Sequence, residues 1–260
     1  IPTGYNLYER AYHDIRYRIF NRINRSKFPH YKSHRPYDGL TEYKGLLKSL
    51  LNKRKNQKEY QSIFMSIRQS EADIHLFPLQ LSSDFQIREH SPFRDLNEAI
   101  GLVIESFSKN SNPKAALLIK QHPLDTEILD HEKFSKNISR KFGVSDRVFY
   151  IKDGHLPTIL ECSKSVVTVN STVGLSALHH RRPLICLGEA IYDIKGLTFQ
   201  YGLDRFWKEA GRPNDDLYYK LLNHILKKSQ INGDFYSRSG IAMTIEGVLK
   251  RIFGENPHGS

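Results

Sequence analysis

From Ile74 onward, short apolar runs alternate with helix-length amphipathic segments, and this alternation limits the possible folds more than any other feature. The runs are Ile74–Pro78, Ala115–Lys120, Val148–Ile151, Val166–Val169 and Leu184–Leu187. Each is too short for a buried helix and rich in branched side chains, so each is expected to be a strand. Between them, helices are expected over roughly Arg94–Ser108, Asp130–Phe142, Leu156–Cys162 and Val173–His179. Strands alternating with helices predict an α/β fold: a parallel, doubly wound, Rossmann-like sheet flanked by helices, with ligands beyond the C-terminal strand ends. Two further helices are expected at Asp215–Lys228 and Ile241–Phe253.

One junction in this pattern has chemical content of its own. Val166–Val169 leads through Asn170-Ser171-Thr172 into the helix beginning at Val173. Small polar side chains before a helix cap its free N–H groups, and the same N–H groups and the helix dipole can hold a phosphate. Capping and phosphate binding are compatible roles for Ser171 and Thr172.

The segment before Ile74 has a different character. The chain of 260 residues has a formal charge of +11, and residues 1–60 hold fourteen Lys/Arg against five Asp/Glu, so +9 of that excess lies there. Tyr5, Tyr8, Tyr12, Ile15 and Ile19 recur at helical spacing, with Arg10, Asp14, Arg16 and Arg18 on other faces. Arg22–Pro36 is basic, aromatic and interrupted by Pro29 and Pro36, which suggests an irregular strap; a helix from about Leu40 then continues to about Tyr60. The expected organisation is a basic helical and strap segment over residues 1–60 and a Rossmann-like domain over 61–255. The strap suits an anionic partner or is a solvated connector. Nucleic-acid binding would rest on charge alone, with no recognised module, and is not expected.

Cys162 and Cys186 lack metal-ligand spacing and suit a reducing cytoplasm. No run is long enough to span a bilayer, so membrane contact is expected to be peripheral. The chain opens on Ile1 rather than Met, as expected of a processed or truncated piece.

Polar residues gather after four of the expected strands. Gln80 follows the first, His122 and Pro123 the second, Gly154 and His155 the third, and Ser171 and Thr172 the fourth. Glu189 and Tyr192 follow the fifth. Convergence of such loops on one rim predicts a nucleotide or sugar-nucleotide pocket. His122 can bond a phosphate oxygen or protonate a departing one, with Pro123 fixing its turn; otherwise it is a capped imidazole in a strand-ending turn. Gly154 either admits a ligand close to the backbone or supplies a turn with positive φ. His155 is a weaker candidate, Glu189 could accept sugar hydroxyls, and Tyr192 either stacks on a base or packs in the core. The start of the last expected helix accounts for most of Ile231–Arg238. Walker A, G-x-G-x-x-G and G-x-S-x-G motifs are all absent, which argues against P-loop NTPases, ordinary dehydrogenases and Ser/His/Asp hydrolases.

Several longer motifs resemble a known family. LFPLQLSSDFQIREHSPF at 76–93, QHPLD at 121–125, VNSTVGLSALHHRRPLICLG at 169–188, AIYDIKGLTFQ at 190–200 and INGDFYSRSGI at 231–241 are similar to capsule polysaccharide biosynthesis proteins of the KpsS/LipB type. FPHYKSHRP at 28–36 fits the same pattern. The resemblance implies one half of a GT-B-like retaining β-Kdo glycosyltransferase that uses CMP-Kdo and needs no metal or other cofactor. It implies a phosphatidylglycerol or lysophosphatidylglycerol acceptor, a peripheral position on the cytoplasmic face of a Gram-negative inner membrane, and an association with other capsule assembly proteins. His122, Pro123, Ser171 and Thr172 would hold the CMP phosphate. Full members of that type carry a further N-terminal Rossmann-like half, which is expected to supply a carboxylate nucleophile, so none is assigned here. A sialyltransferase, a teichoic-acid-like polymerase and a non-catalytic export or binding protein remain the alternatives.

Overall fold

The computed structural model describes residues 7–30, 39–81, 84–125, 128–235 and 237–254. Tyr5, the part of the strap that includes Pro36, Ser82, Ser83 and Tyr236 lie outside the described residues. In chain order the elements are α1 (Leu7–Ile23), a 3-10 turn (Arg25–Lys27), α2 (Gly39–Gln69), β1 (Ile74–Pro78), α3 (Phe85–Glu89), α4 (Leu96–Asn110), β2 (Ala116–Lys120) and α5 (His131–Lys141). They continue with β3 (Val148–Ile151), α6 (Leu156–Cys162), β4 (Ser163–Thr168), α7 (Val173–His179), β5 (Leu184–Cys186), α8 (Leu203–Glu209), α9 (Asp215–Lys228) and α10 (Arg238–Phe253).

The chain divides into two units, Arg35–Tyr219 and Ile1–His34 with Lys220–Ser260. The boundary expected between residues 60 and 61 falls inside α2, whose 31 residues run on past Tyr60 and bury Phe64 and Ile67.

The unit Arg35–Tyr219 is an α/β fold around one five-stranded sheet in the order β3-β2-β1-β4-β5, with every pair parallel. Both faces are covered, so β1 and β2 are buried at every position and show no polar alternation. On one face Phe77, Leu117, Ile119, Val167 and Ile185 pack with Ile100, Val103 and Phe107 of α4 and with Phe206 and Trp207 of α8. The elements α6 and α7 contact the strands β1, β4 and β5. Asp95 caps α4 by accepting from the Glu98 N–H at 3.0 Å, and Asp130 caps α5 by accepting from the Lys133 N–H at 2.9 Å.

Strand β4 begins three residues before the expected Val166. Its added residues, Ser163, Lys164 and Ser165, are polar, and their bonding explains why they can be strand. Ser163 Oγ donates to the Ile159 carbonyl at 2.7 Å, Ser165 Oγ lies 2.7 Å from His75 Nδ1, and Lys164 turns outward to Asp73. Satisfied in this way, the two serines are buried without leaving an open donor or acceptor. The short helices α3 and α8 were not anticipated, because neither completes a second full period of apolar residues.

In the other unit, Ser237 caps α10 through the Gly240 N–H at 2.9 Å and is itself held by Asp234. The Arg251 guanidinium donates to the Leu226, Lys227, Lys228 and Gln230 carbonyls, closing the C-terminal end of α9.

Candidate functional site

All five strands point the same way, so the loops that follow them share one edge of the sheet. In space these loops run in the order of the strands: residues 153–155 after β3, 121–125 after β2, 79–81 after β1, 169–172 after β4 and 187–192 after β5. Chain order reverses direction on either side of β1, which makes the β1–β4 junction the switch point of the sheet.

That junction is tied by side chains. Gln80 donates to Asn170 Oδ1 at 2.8 Å and accepts from the Asn170 N–H at 3.2 Å, a reciprocal pair across the seam. Asn170 Nδ2 also donates to the Gln86 and His90 carbonyls at 2.9 and 3.1 Å. Asp84 caps α3 through the Gln86 N–H, and the Glu189 N–H donates to the His90 carbonyl at 2.8 Å. The segment after β1 is thus laced to the loops after β4 and β5. A Cβ on Gly188 would meet the His90 carbonyl at 2.8 Å, so glycine is needed for this close approach.

At the start of α7, Ser171 Oγ accepts from the Val173 N–H at 3.2 Å, and the Ser171 N–H donates to Thr168 Oγ1 at 3.1 Å. Thr172 is exposed and its side chain makes no capping bond. Tyr192 is 2% exposed; its hydroxyl donates to the Ser171 carbonyl and its ring fills the space where a Cβ on Gly174 would stand. Burial pushes the Tyr192 and Cys186 pKa values up, so both groups stay protonated. The ring of Tyr192 is packed against α7, and the Glu189 carboxylate lies exposed, 3.3 Å from His90 Nδ1.

The β2–β3 side is built differently. His122 is half-buried, and its Nδ1 accepts from the Leu124 N–H at 3.1 Å. A neutral ring with Nδ1 accepting carries its proton on Nε2. Burial lowers the His122 pKa, with Lys120 acting in the same direction and Asp125 and Asp84 opposing. The ring is therefore a neutral imidazole with an Nε2–H to donate. Pro123 is exposed beside it. Gly154 has φ +129, and a Cβ there would meet Ile159 and Tyr60 at 2.9 Å, so turn geometry and packing both require it. His155 precedes α6 with its Nδ1 2.9 Å from Thr158 Oγ1.

Parallel strands lie about 4.8 Å apart, so the His122 loop and the Ser171 loop are separated by two spacings, about 10 Å at the strand ends. The sheet brings both to one rim but places Gln80 and its loop between them. Among the described residues no group of three His, Cys, Asp or Glu has metal-binding geometry.

Residues 1–236 match the family described as capsule polysaccharide biosynthesis protein. The chain belongs to that family. The Escherichia coli relative, "Capsule polysaccharide export protein KpsS", is 32% identical over 229 residues, which cover 88% of this chain and 59% of that protein. "Capsule polysaccharide modification protein LipB" of Neisseria meningitidis is 32% identical over 226 residues, covering 86% of this chain and 54% of that one. The chain thus spans between half and three-fifths of the length of these relatives. Among solved structures, Thermosulfurimonas dismutans KpsC, beta Kdo 2,7 transferase, covers 74% of this chain and 64% of its own at 18% identity, with a TM-score of 0.38. That score is too low to bear on function.

In this capsule-family chain, two rim residues carry no motif of their own. In sequence Asn170 is one small polar residue before a helix, yet in the fold it holds three segments together. Lys120 was read as the end of an apolar run, yet it is 5% exposed at the rim. A charged residue terminating an otherwise apolar strand two positions before His122 was the available signal. Among the described residues no helix is long and apolar enough to cross a membrane.

Proposed function

We propose that this chain is the donor-binding part of a glycosyltransferase that moves Kdo from CMP-Kdo to a phosphatidylglycerol or lysophosphatidylglycerol acceptor, starting a capsule linker at the cytoplasmic face of the inner membrane. Membership of the capsule polysaccharide biosynthesis family supports the setting. The observation that carries the chemistry is His122: a neutral imidazole on the rim, with its Nδ1 accepting from the Leu124 N–H and its Nε2–H available as a donor.

In this reading the glycosidic bond from Kdo to the CMP phosphate oxygen breaks, and negative charge grows on that phosphate. The Nε2–H of His122 donates to the phosphate oxygen and stabilises the departing CMP, an electrostatic contribution that leaves the ring intact. The Ser171 hydroxyl, which accepts from the Val173 N–H and keeps its own hydrogen, offers a second contact at the switch point. The nucleophile and the acceptor site belong to the intact protein, whose relatives are longer than this chain. The basic N-terminal segment suits the anionic phospholipid acceptor and its membrane surface.

Thermal-shift titration of the chain with CMP, CDP and UDP tests the donor. Stabilisation by CMP that disappears in His122→Ala is the expected result. Indifference to all three nucleotides would sink the reading.

A further inference from the structure

Lys120 ends β2, directly below the rim, and is 5% exposed. Its Nζ makes one long hydrogen bond, 3.4 Å, to the Gln121 carbonyl. Among the described residues no carboxylate forms an ion pair with it. A buried ammonium without a close anion costs several kcal/mol of desolvation, so such a residue is retained where something else balances it.

Two other polar side chains buried at this rim are closely paired. Gln80 has Asn170 at 2.8 Å, and Thr168 accepts from the Ser171 N–H at 3.1 Å. Lys120 departs from that pattern. Burial holds its pKa down, the charge of Asp153 opposes this, and the Lys120 charge in turn helps keep His122 neutral. Both partners in that coupling stand on the rim, one after β3 and one after β2. Because Lys120 ends β2 two residues before His122, the buried cation belongs to the same end of the sheet as the Nε2–H, for which no partner stands among the described residues.

We infer that Lys120 is the buried cation that binds the phosphate of the nucleotide donor, acting together with His122 on the β2 side of the rim. This rests on the donor reading above and sharpens it. The phosphate sits over β2, and the α7 start, about two strand spacings away, is left to the rest of the donor. An anion placed there meets a donor hydrogen from His122 and the charge of Lys120, and it gives that charge the direct partner that no carboxylate among the described residues supplies.

The test is calorimetric titration of the 260-residue chain, its Lys120→Met variant and its Lys120→Arg variant with CMP, cytidine, UDP and inorganic phosphate. Methionine keeps the stem and removes the charge, so the fold should hold and Tm should stay level or rise. Loss of a charge-assisted bond should weaken CMP by about tenfold or more in Lys120→Met while cytidine changes less than about twofold, and Lys120→Arg should recover part of the loss. Equal loss for CMP and cytidine, or no loss for either, would overturn the assignment while leaving the donor reading intact. Binding of UDP or phosphate that needs Lys120, with none of CMP, would overturn the donor reading and keep the assignment. A wild-type chain that binds none of the four overturns both.

Discussion

The two sides of the rim solve opposite problems. On the β4–β5 side the polar groups mostly face each other: Gln80 with Asn170, Asn170 with the α3 segment, the Glu189 N–H with the His90 carbonyl, and Tyr192 with the Ser171 carbonyl. On the β2–β3 side His122 has one ring nitrogen engaged and Lys120 has a single long bond. The difference shows that a cluster of small polar residues at strand ends can serve as mortar as readily as a ligand cradle. The two are separated by whether hydrogen-bonding capacity remains after the fold has formed.

Substitutions on the two sides should therefore fail in different ways. The largest effect is expected at His122. On the proposed donor reading, His122→Ala should lower transfer from CMP-Kdo by about 10²–10³-fold, as expected for a hydrogen-bond donor aimed at developing charge, with little change in Tm. A His122→Ala enzyme that retains full kcat would erase the contrast.

Next comes the seam itself, through pH. His75 pairs with Ser165 across β1 and β4, beneath Trp207, and burial pushes its pKa down to about 4. Between pH 6.5 and about 4 the unfolded chain binds this proton and the folded chain does not, so stability falls as pH drops through that window. The full contribution is present above pH 6.5, is gone below about 4, and amounts to about 3 kcal/mol. Urea unfolding of wild type and His75→Gln at steps across this range should show the steeper slope in wild type only.

A smaller effect is expected at Asn170. Asn170→Ala removes the bonds to Gln80, Gln86 and His90 and should cost about 2 kcal/mol in urea unfolding. It should also speed hydrogen exchange of the α3 amides. If it weakened CMP binding with stability unchanged, the β4 side would be a ligand surface after all. Smallest is Glu189→Gln: its carboxylate is exposed, so Tm should change by less than about 0.5 kcal/mol equivalent.

How much of this was legible in the sequence differs between elements. β1, β3, α6, α7 and α9 occupy the expected residues, because each is a clean apolar run or one amphipathic stretch with turn residues at its ends. The start of β4 was hidden by two serines and a lysine, whose strand conformation depends on His75, Ile159 and Asp73. Gly154 shows the same limit: a ligand approach and a tight turn look alike in sequence, and it is the packing of Ile159 and of Tyr60, far away in the chain, that shows a side chain has no room there. Gln80 and Tyr192 follow strand ends, but their partners lie elsewhere in the chain, Asn170 far after Gln80 and the start of α7 before Tyr192.

By itself the sequence determined the α/β class, the parallel sheet with both faces buried, the rim where polar loops meet, and the family motifs around His122 and Ser171. All of these depend on local periodicity or on short contiguous patterns, which the chain carries wherever it folds. The tertiary structure decided which rim residues are already satisfied and which still have bonding capacity. Satisfaction depends on atoms brought within about 3 Å from distant parts of the chain, as for Gln80 and Asn170. The burial of Lys120, a charge that no carboxylate among the described residues pairs with directly, is of that kind. No spacing rule reveals it, because the desolvation that makes it informative exists only once the surrounding elements have closed over the strand end.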